Sequence, residues 1–317
     1  MHGTRYILSI LLIMLMQSQS VGQNSYLSIE EVLLFKKTSE SNFPVSINYN
    51  NLVFICQLEG SNNYVKIVQQ NNSDIDQNKI LVGQIGSLNE LEVKSQGRMN
   101  YLKTLQIGDN NVSYIHQDGS ELEGNILIDG RFNKAGISVH GKKNSIGNHS
   151  KEGIYIAGNM NFIDVDIQGN YNSMNIQNIG DNNDASLQQK GNCNLASVKM
   201  GSSSYQNEFN TLKIFQMGDR NDAKINQKTS FSTIDVKQEG NSNKFCSEYD
   251  YGSIKGSIKQ QGADNQIIHK TQSKYVDFNI IQEGKNNLII HIEKSDKVEE
   301  YILSQKGNDM VLLIENH

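Results

Sequence analysis

Glycine recurs in this chain at every eleventh position, and that period constrains the fold more than any other feature of the sequence. Gly86, Gly97, Gly108, Gly119, Gly130 and Gly141 form the first run. A six-residue insertion around Ser145–Lys151 resets the count to Gly158, Gly169, Gly180 and Gly191, and a second near Ser202–Asn207 resets it to Gly218. From there complete copies fall at every second unit, at Gly218, Gly240, Gly262 and Gly284, with Thr229, Tyr251, Ser273 and Ser295 at the intermediate positions. Gln57–Gly60 is a distorted early copy and Gln305–Gly307 a shifted last one. The unit is therefore the eleven-residue segment, and the full repeat is a pair of units.

The glycines sit in a motif, Gln-x-Gly-x-x-Asn. It is intact at Gln84/Gly86/Asn89, Gln106/Gly108/Asn111, Gln189/Gly191/Asn194 and Gln216/Gly218/Asn221. It recurs at Gln238/Gly240/Asn243, Gln260/Gly262/Asn265 and Gln282/Gly284/Asn287. A period of eleven also suits a right-handed helical coil, but Gly beside Asn and Asp in every unit is incompatible with a long helix. The residues after each Asn alternate with period two instead: Ile163, Val165 and Ile167 are separated by Asp164 and Asp166. That is a strand with one buried face. Gly-x-x-Asn is turn chemistry, in which Gly supplies positive φ and Asn or Asp tolerates the left-handed region. Two strands and two turns make one coil, and stacked coils make an all-β solenoid of about eleven coils.

Gln at a buried parity needs a reason, because an unpartnered buried amide costs about 1–3 kcal/mol. Stacking supplies one. Gln84, Gln106, Gln216 and Gln238 are expected to fall above one another, each amide bonding to the next and so fixing the register.

Composition agrees with a thin, repetitive core. The chain has no Trp and one Pro (Pro44), and its apolar share falls below that of ordinary globular chains. A net charge of -5 without a basic run points to no nucleic-acid or anionic-membrane partner. Residues 1–22 read as a secretory signal peptide: Arg5, the apolar run Ile7–Met16, then small residues before a cut at Gln23. Residues 23–50 precede the repeats. Ser28–Glu31 forms a capping box before Val32–Phe35, which predicts a short helix. That helix reads either as a plug over the first coil or as an export segment. Residues 51–317 are the repeats. Cys56, Cys193 and Cys246 lie far apart and read as buried small hydrophobes or one adventitious pair.

Segments such as Ala185–Asn194 and Ala223–Gln227 carry a strand run that, repeated twice per pair of units, resembles the curlin repeat of curli fibre subunits. The resemblance spans about residues 52–314. It implies a secreted subunit, exported through an outer-membrane pore, that assembles with itself and other curli-type subunits into cell-surface amyloid for adhesion and biofilm. The chain departs from the family pattern in three ways. It has about twice the usual number of repeats and no Gly-rich export tail, and Ile128, Val139, Ile156 and Ile167 replace Gln in its middle units.

The motifs of common enzymes are missing. No P-loop, dinucleotide fingerprint, zinc-type His pair or nucleophile elbow occurs, so no enzyme, cofactor, metal or small-molecule substrate is expected. Asp164 and Asp166 resemble a carboxylate pair but have outward parity. The rival reading is a monomeric, capped surface solenoid that binds a glycan or a protein, its two insertions forming the loops. The uncapped apolar strand Met310–Ile314 favours self-assembly, since an open strand edge is a template for another chain.

Overall fold

The computed structural model describes residues 51–316, apart from 58–59, 71–77, 148–152, 202–206, 228–229 and 251–253. The expected signal peptide and N-terminal helix lie outside the described residues. Within the unit Ile47–His317 the described chain is a β-solenoid of about ten turns, and no helix occurs among the described residues.

Each strand pairs in parallel with the strand one coil away. Thr211–Met217 lies residue for residue on Thr233–Glu239, and Glu90–Gln96 on Val112–Asp118. The strands fall into two stacks. Sheet one starts with Asn51–Gln57 and Asn78–Ile85 and ends with Val311–Asn316. Sheet two starts with Tyr64–Gln70 and Glu90–Gln96 and ends with the second half of Leu288–Asn308. Strand alternation sends one side chain in two inward from each sheet. In Thr211–Met217 the buried residues are Leu212, Ile214 and Gln216. The space between the sheets is filled by Ile, Leu and Val from both, with smaller contributions from Ala185, Ala196 and Ala223.

The corners explain the period. Gly108 has φ 99°, and the second residue after it, Asn110, has φ 58°. A Cβ on Gly108 would stand 2.0 Å from the Gly130 carbonyl oxygen one coil on, so both conformation and space demand glycine. The left-handed position two residues further was expected to hold Asn or Asp. It does so at Asn62, Asn110, Asn182 and Asp264, but Leu88, Met99, Phe132, Met160, Tyr171, Phe209 and Phe231 adopt it too. The corner hydrogen bonds fix this geometry whatever the side chain, at about 1–2 kcal/mol per residue.

Both insertions fall between positions that stay in register with the adjoining coil. The pairing runs from Gly124↔Ile146 to Ile126↔Ile154, which places six extra residues between Ile146 and Ile154. It runs from Gln177↔Lys199 to Gly180↔Asn207, which places five extra before Asn207. Near the C-terminus one corner changes character. Where Ser273 and Ser295 stand in place of Gly, Gln266–Lys285 and Leu288–Asn308 run through as strands of 20 and 21 residues.

Candidate functional site

The repeated Asn residues form two vertical clamps, one at each corner. Asn111 is representative. Its Nδ2 donates to the Gly130 carbonyl one coil on at 2.8 Å, and its Oδ1 accepts from the backbone N–H and Nδ2 of Asn133, both at 3.1 Å. The same pattern joins Asn133 to Asn161 at this corner, and Asn221 to Asn243 and Asn243 to Asn265 at the other. Asn89, Asn194 and Asn287 likewise donate to Gly108, Gly218 and Gly307. The amides are fully buried yet hydrogen-bonded, which removes the cost of burying them. Every clamp reaches toward the C-terminal neighbour, so the stack is polar. One clamp ends where Ser232 succeeds Asn210; the other is interrupted by Leu122, which succeeds Asn100, and ends where Met310 succeeds Asn287.

The motif Gln residues are buried as expected, but not in one column. Gln84 and Gln106 belong to sheet one, in the column Gln57–Gln84–Gln106–Ile128–Ile156. Gln189, Gln216, Gln238, Gln260 and Gln282 belong to sheet two, followed by Gln305. The reason is the inserted residues. Gly108 and Gly218 are separated by a whole number of coils when the sequence is counted, but the two insertions together take one full unit out of that count. An odd number of half-turns remains, and the motif changes sheet.

Within each column the ladder is partial. Gln57 Nε2 donates to Gln84 Oε1 at 2.9 Å and Gln84 to Gln106 at 2.8 Å. In sheet two Gln189 donates to Gln216 at 2.8 Å and Gln216 to Gln238 at 2.9 Å, while Gln282 donates back to Gln260 at 3.3 Å. Gln106, which has Ile128 beyond it, donates to Ser113 Oγ instead. A second function of Gln was not legible from its spacing. Gln84, Gln106, Gln238 and Gln282 each donate to the carbonyl of the Asn five residues on, tying strand to corner within one motif.

The last coils add an aromatic and imidazole cluster in the column Ser247–His269–His291–Ile314. His269 lies between Ser247 Oγ at 3.5 Å and the stacked His291 ring at 5.3 Å, with Phe278 and Tyr301 facing it. Buried Glu293 approaches His291 at 3.6 Å. Burial, reinforced by His291, holds His269 well below the usual imidazole range.

The remaining candidates disperse. Asp164 and Asp166 face outward, and Asp166 accepts from Gln168 and Gln188 at 3.0 Å. None of the cysteines is bonded to another, and Cys193, expected inside, is exposed at a left-handed corner. Among the described residues no group of three or more His, Cys, Asp or Glu is placed to hold a metal. One corner carries a row that sequence reading missed: Leu88, Phe132, Met160, Phe209 and Phe231 are all about half exposed or more, and Phe209 and Phe231 stack at 5.4 Å. Their signal was present, as a bulky apolar residue at a turn position that favours Asn.

The fold and its ladders define a class, the two-sheet parallel β-solenoid. No protein-family model matches this sequence, and a comparison with curated proteins finds no match.

Proposed function

We propose that this chain is a secreted structural subunit that self-assembles end to end into cell-surface fibres for adhesion and biofilm, in the manner of curlin subunits. One observation carries this reading: among the described residues, the core and its ladders are incompletely covered in the first and the last coil. Among the described residues, every core-packed hydrophobic residue that is only partly buried lies in the first or last coils, with Val53, Ile55, Val65 and Ile67 at one end and Tyr301, Leu312 and Ile314 at the other. The terminal strands Asn51–Gln57 and Val311–Asn316 each pair on one side only among the described residues, and an open parallel edge over a cut core is a template for another copy. Other subunits of the same kind and an outer-membrane export pore would be its partners. The test is thioflavin fluorescence on the purified chain, with electron microscopy of the end point. Fibres that form after a lag and are seeded by their own fragments are expected; a solution that stays monomeric for days at high concentration refutes the proposal.

A second reading is favoured by the exposed corner row. A monomeric surface solenoid would use Leu88, Phe132, Met160, Phe209 and Phe231 to bind a glycan or a protein partner.

A further inference from the structure

The register of the two open ends also specifies how successive copies meet. We infer that each copy stacks on the one before after a half-turn about the solenoid axis, so that sheet one of one copy continues sheet two of its neighbour. This deepens the assembly proposed above and rests on it.

Three observations lead there. First, the solenoid begins and ends in the same sheet: Asn51–Gln57 and Val311–Asn316 both belong to sheet one. Sheet one therefore holds one strand position more than sheet two among the described residues. After Val311–Asn316 the next open place is in sheet two, above the second half of Leu288–Asn308. A copy added without rotation would set Asn51–Gln57 on Val311–Asn316 and leave that place empty. A copy turned by half a coil fills it and leaves no gap in the backbone ladder.

Second, the side chains match in that arrangement. In sheet two the upper inward residues are Tyr301, Leu303 and Gln305, which lie on Phe278, Ile280 and Gln282. The first strand presents Val53, Ile55 and Gln57 at the same spacing, in register with Ile80, Val82 and Gln84. Setting Gln57 over Gln305 puts Ile55 on Leu303 and Val53 on Tyr301. In the other sheet, Val65 and Ile67 of the arriving copy follow corner residue Asn63 as Leu312 and Ile314 follow Met310, so they meet pairwise. Every partly buried core residue at either end then gains an apolar neighbour.

Third, Gln305 is only 3 % exposed, yet its Oε1 accepts no hydrogen bond among the described residues. Gln57 Nε2 uses one N–H on Gln84, and its second N–H has no acceptor among the described residues. The change of sheet that separates the two Gln columns inside the chain is undone at the junction. The column from Gln189 to Gln305 runs on into Gln57, Gln84 and Gln106 of the next copy.

Disulfide trapping in the assembled full chain tests this, with Cys56, Cys193 and Cys246 replaced by Ser. In the half-turn arrangement Phe54 lies beside Ile302 of the neighbour; without rotation it lies beside Leu313. The variant Phe54→Cys/Ile302→Cys is expected to give a ladder of covalent oligomers on mild oxidation, and Phe54→Cys/Leu313→Cys to stay monomeric under denaturing electrophoresis. The reverse pattern overturns the half-turn, as do fibres in which neither pair closes; a parent chain that never assembles overturns the assembly itself. As a second measurement without new cysteines, Gln57→Leu should slow elongation of seeded fibres about tenfold, the consequence of leaving Gln305 unpartnered in the junction. Unchanged elongation would count against the amide contact.

Discussion

The middle of the solenoid and its two flanks solve one packing problem differently. At the inward position before the corner, the N-terminal coils use Gln57, Gln84 and Gln106 and the C-terminal coils use Gln189 to Gln282, whereas the middle uses Ile128, Ile156, Val139 and Ile167. Aliphatic side chains pack well but tolerate a neighbour that slides, because dispersion and the hydrophobic effect have little direction. An amide column has direction, and a slip would leave each member unpartnered at about 1–3 kcal/mol. In the middle, register is therefore held by the corners alone, through Gly130, Gly158 and the Asn111–Asn133–Asn161 clamp.

The sharpest way to break this contrast is at a middle corner. Gly158→Ala forces a Cβ to 2.1 Å from the Gly180 carbonyl oxygen at φ 124°. A loss of about 3 kcal/mol or more is expected from strain and overpacking together, seen as early loss of amide protection around residues 154–183 in hydrogen exchange. Next comes the exchange of solutions. Ile154→Gln places a lone amide between Ile126 and Ile176 and should cost about 2 kcal/mol. Gln216→Leu breaks the bonds to Gln189 and Gln238 and should cost about 1–2 kcal/mol. If both substitutions prove neutral in denaturant unfolding, the two solutions are interchangeable and the contrast has no energetic content.

Acid separates the regions further. His269 is held below its unfolded value, so between the two values the unfolded chain binds more protons than the folded one, and stability rises with pH there. The His269 contribution is complete above about pH 6.5, the unfolded imidazole range, and is lost as pH falls below it. Hydrogen exchange at pH 5 should show the coils around 266–308 opening while the aliphatic middle stays protected; His269→Phe should abolish the difference. The smallest effect is expected at the corner row. Phe132→Asn relieves a bulky left-handed residue that is 58 % exposed and should stabilise by about 0.5–1 kcal/mol in thermal unfolding.

Much of this was legible in the sequence, and the misses have physical causes. Gly and Asn at every eleventh position, with Ile163, Val165 and Ile167 on one parity, yielded the solenoid and its inward faces directly, because both the corner and the pleat are local requirements. The assignment of Gln84 and Gln216 to one ladder failed because column identity is a global count of half-turns, and the two insertions hide an odd number behind a regular spacing. The strands that run through Ser273 and Ser295 were read as ordinary units, since the absence of Gly shows only that a tight corner is not enforced there. Leu88 and Phe231 stand at the turn position that the spacing marks, but their own preference argues against the left-handed conformation they adopt. Hydrogen bonds from the adjoining coil impose that backbone shape over the residue's own preference.

The one-way clamps also bear on how the chain acquires its structure. Asn111 reaches Asn133 and Gly130, and the longest bonds of this type, between Asn133 and Asn161 and between Asn144 and Asn172, cross an insertion and still join near neighbours in the sequence. Ring closure for each new coil is thus equally short whether the third turn or the ninth is forming, and its entropic cost does not grow with chain length. Folding becomes propagation from a nucleus rather than a search over the whole polymer, so adding coils should lengthen the molecule without a proportionate slowing of each step.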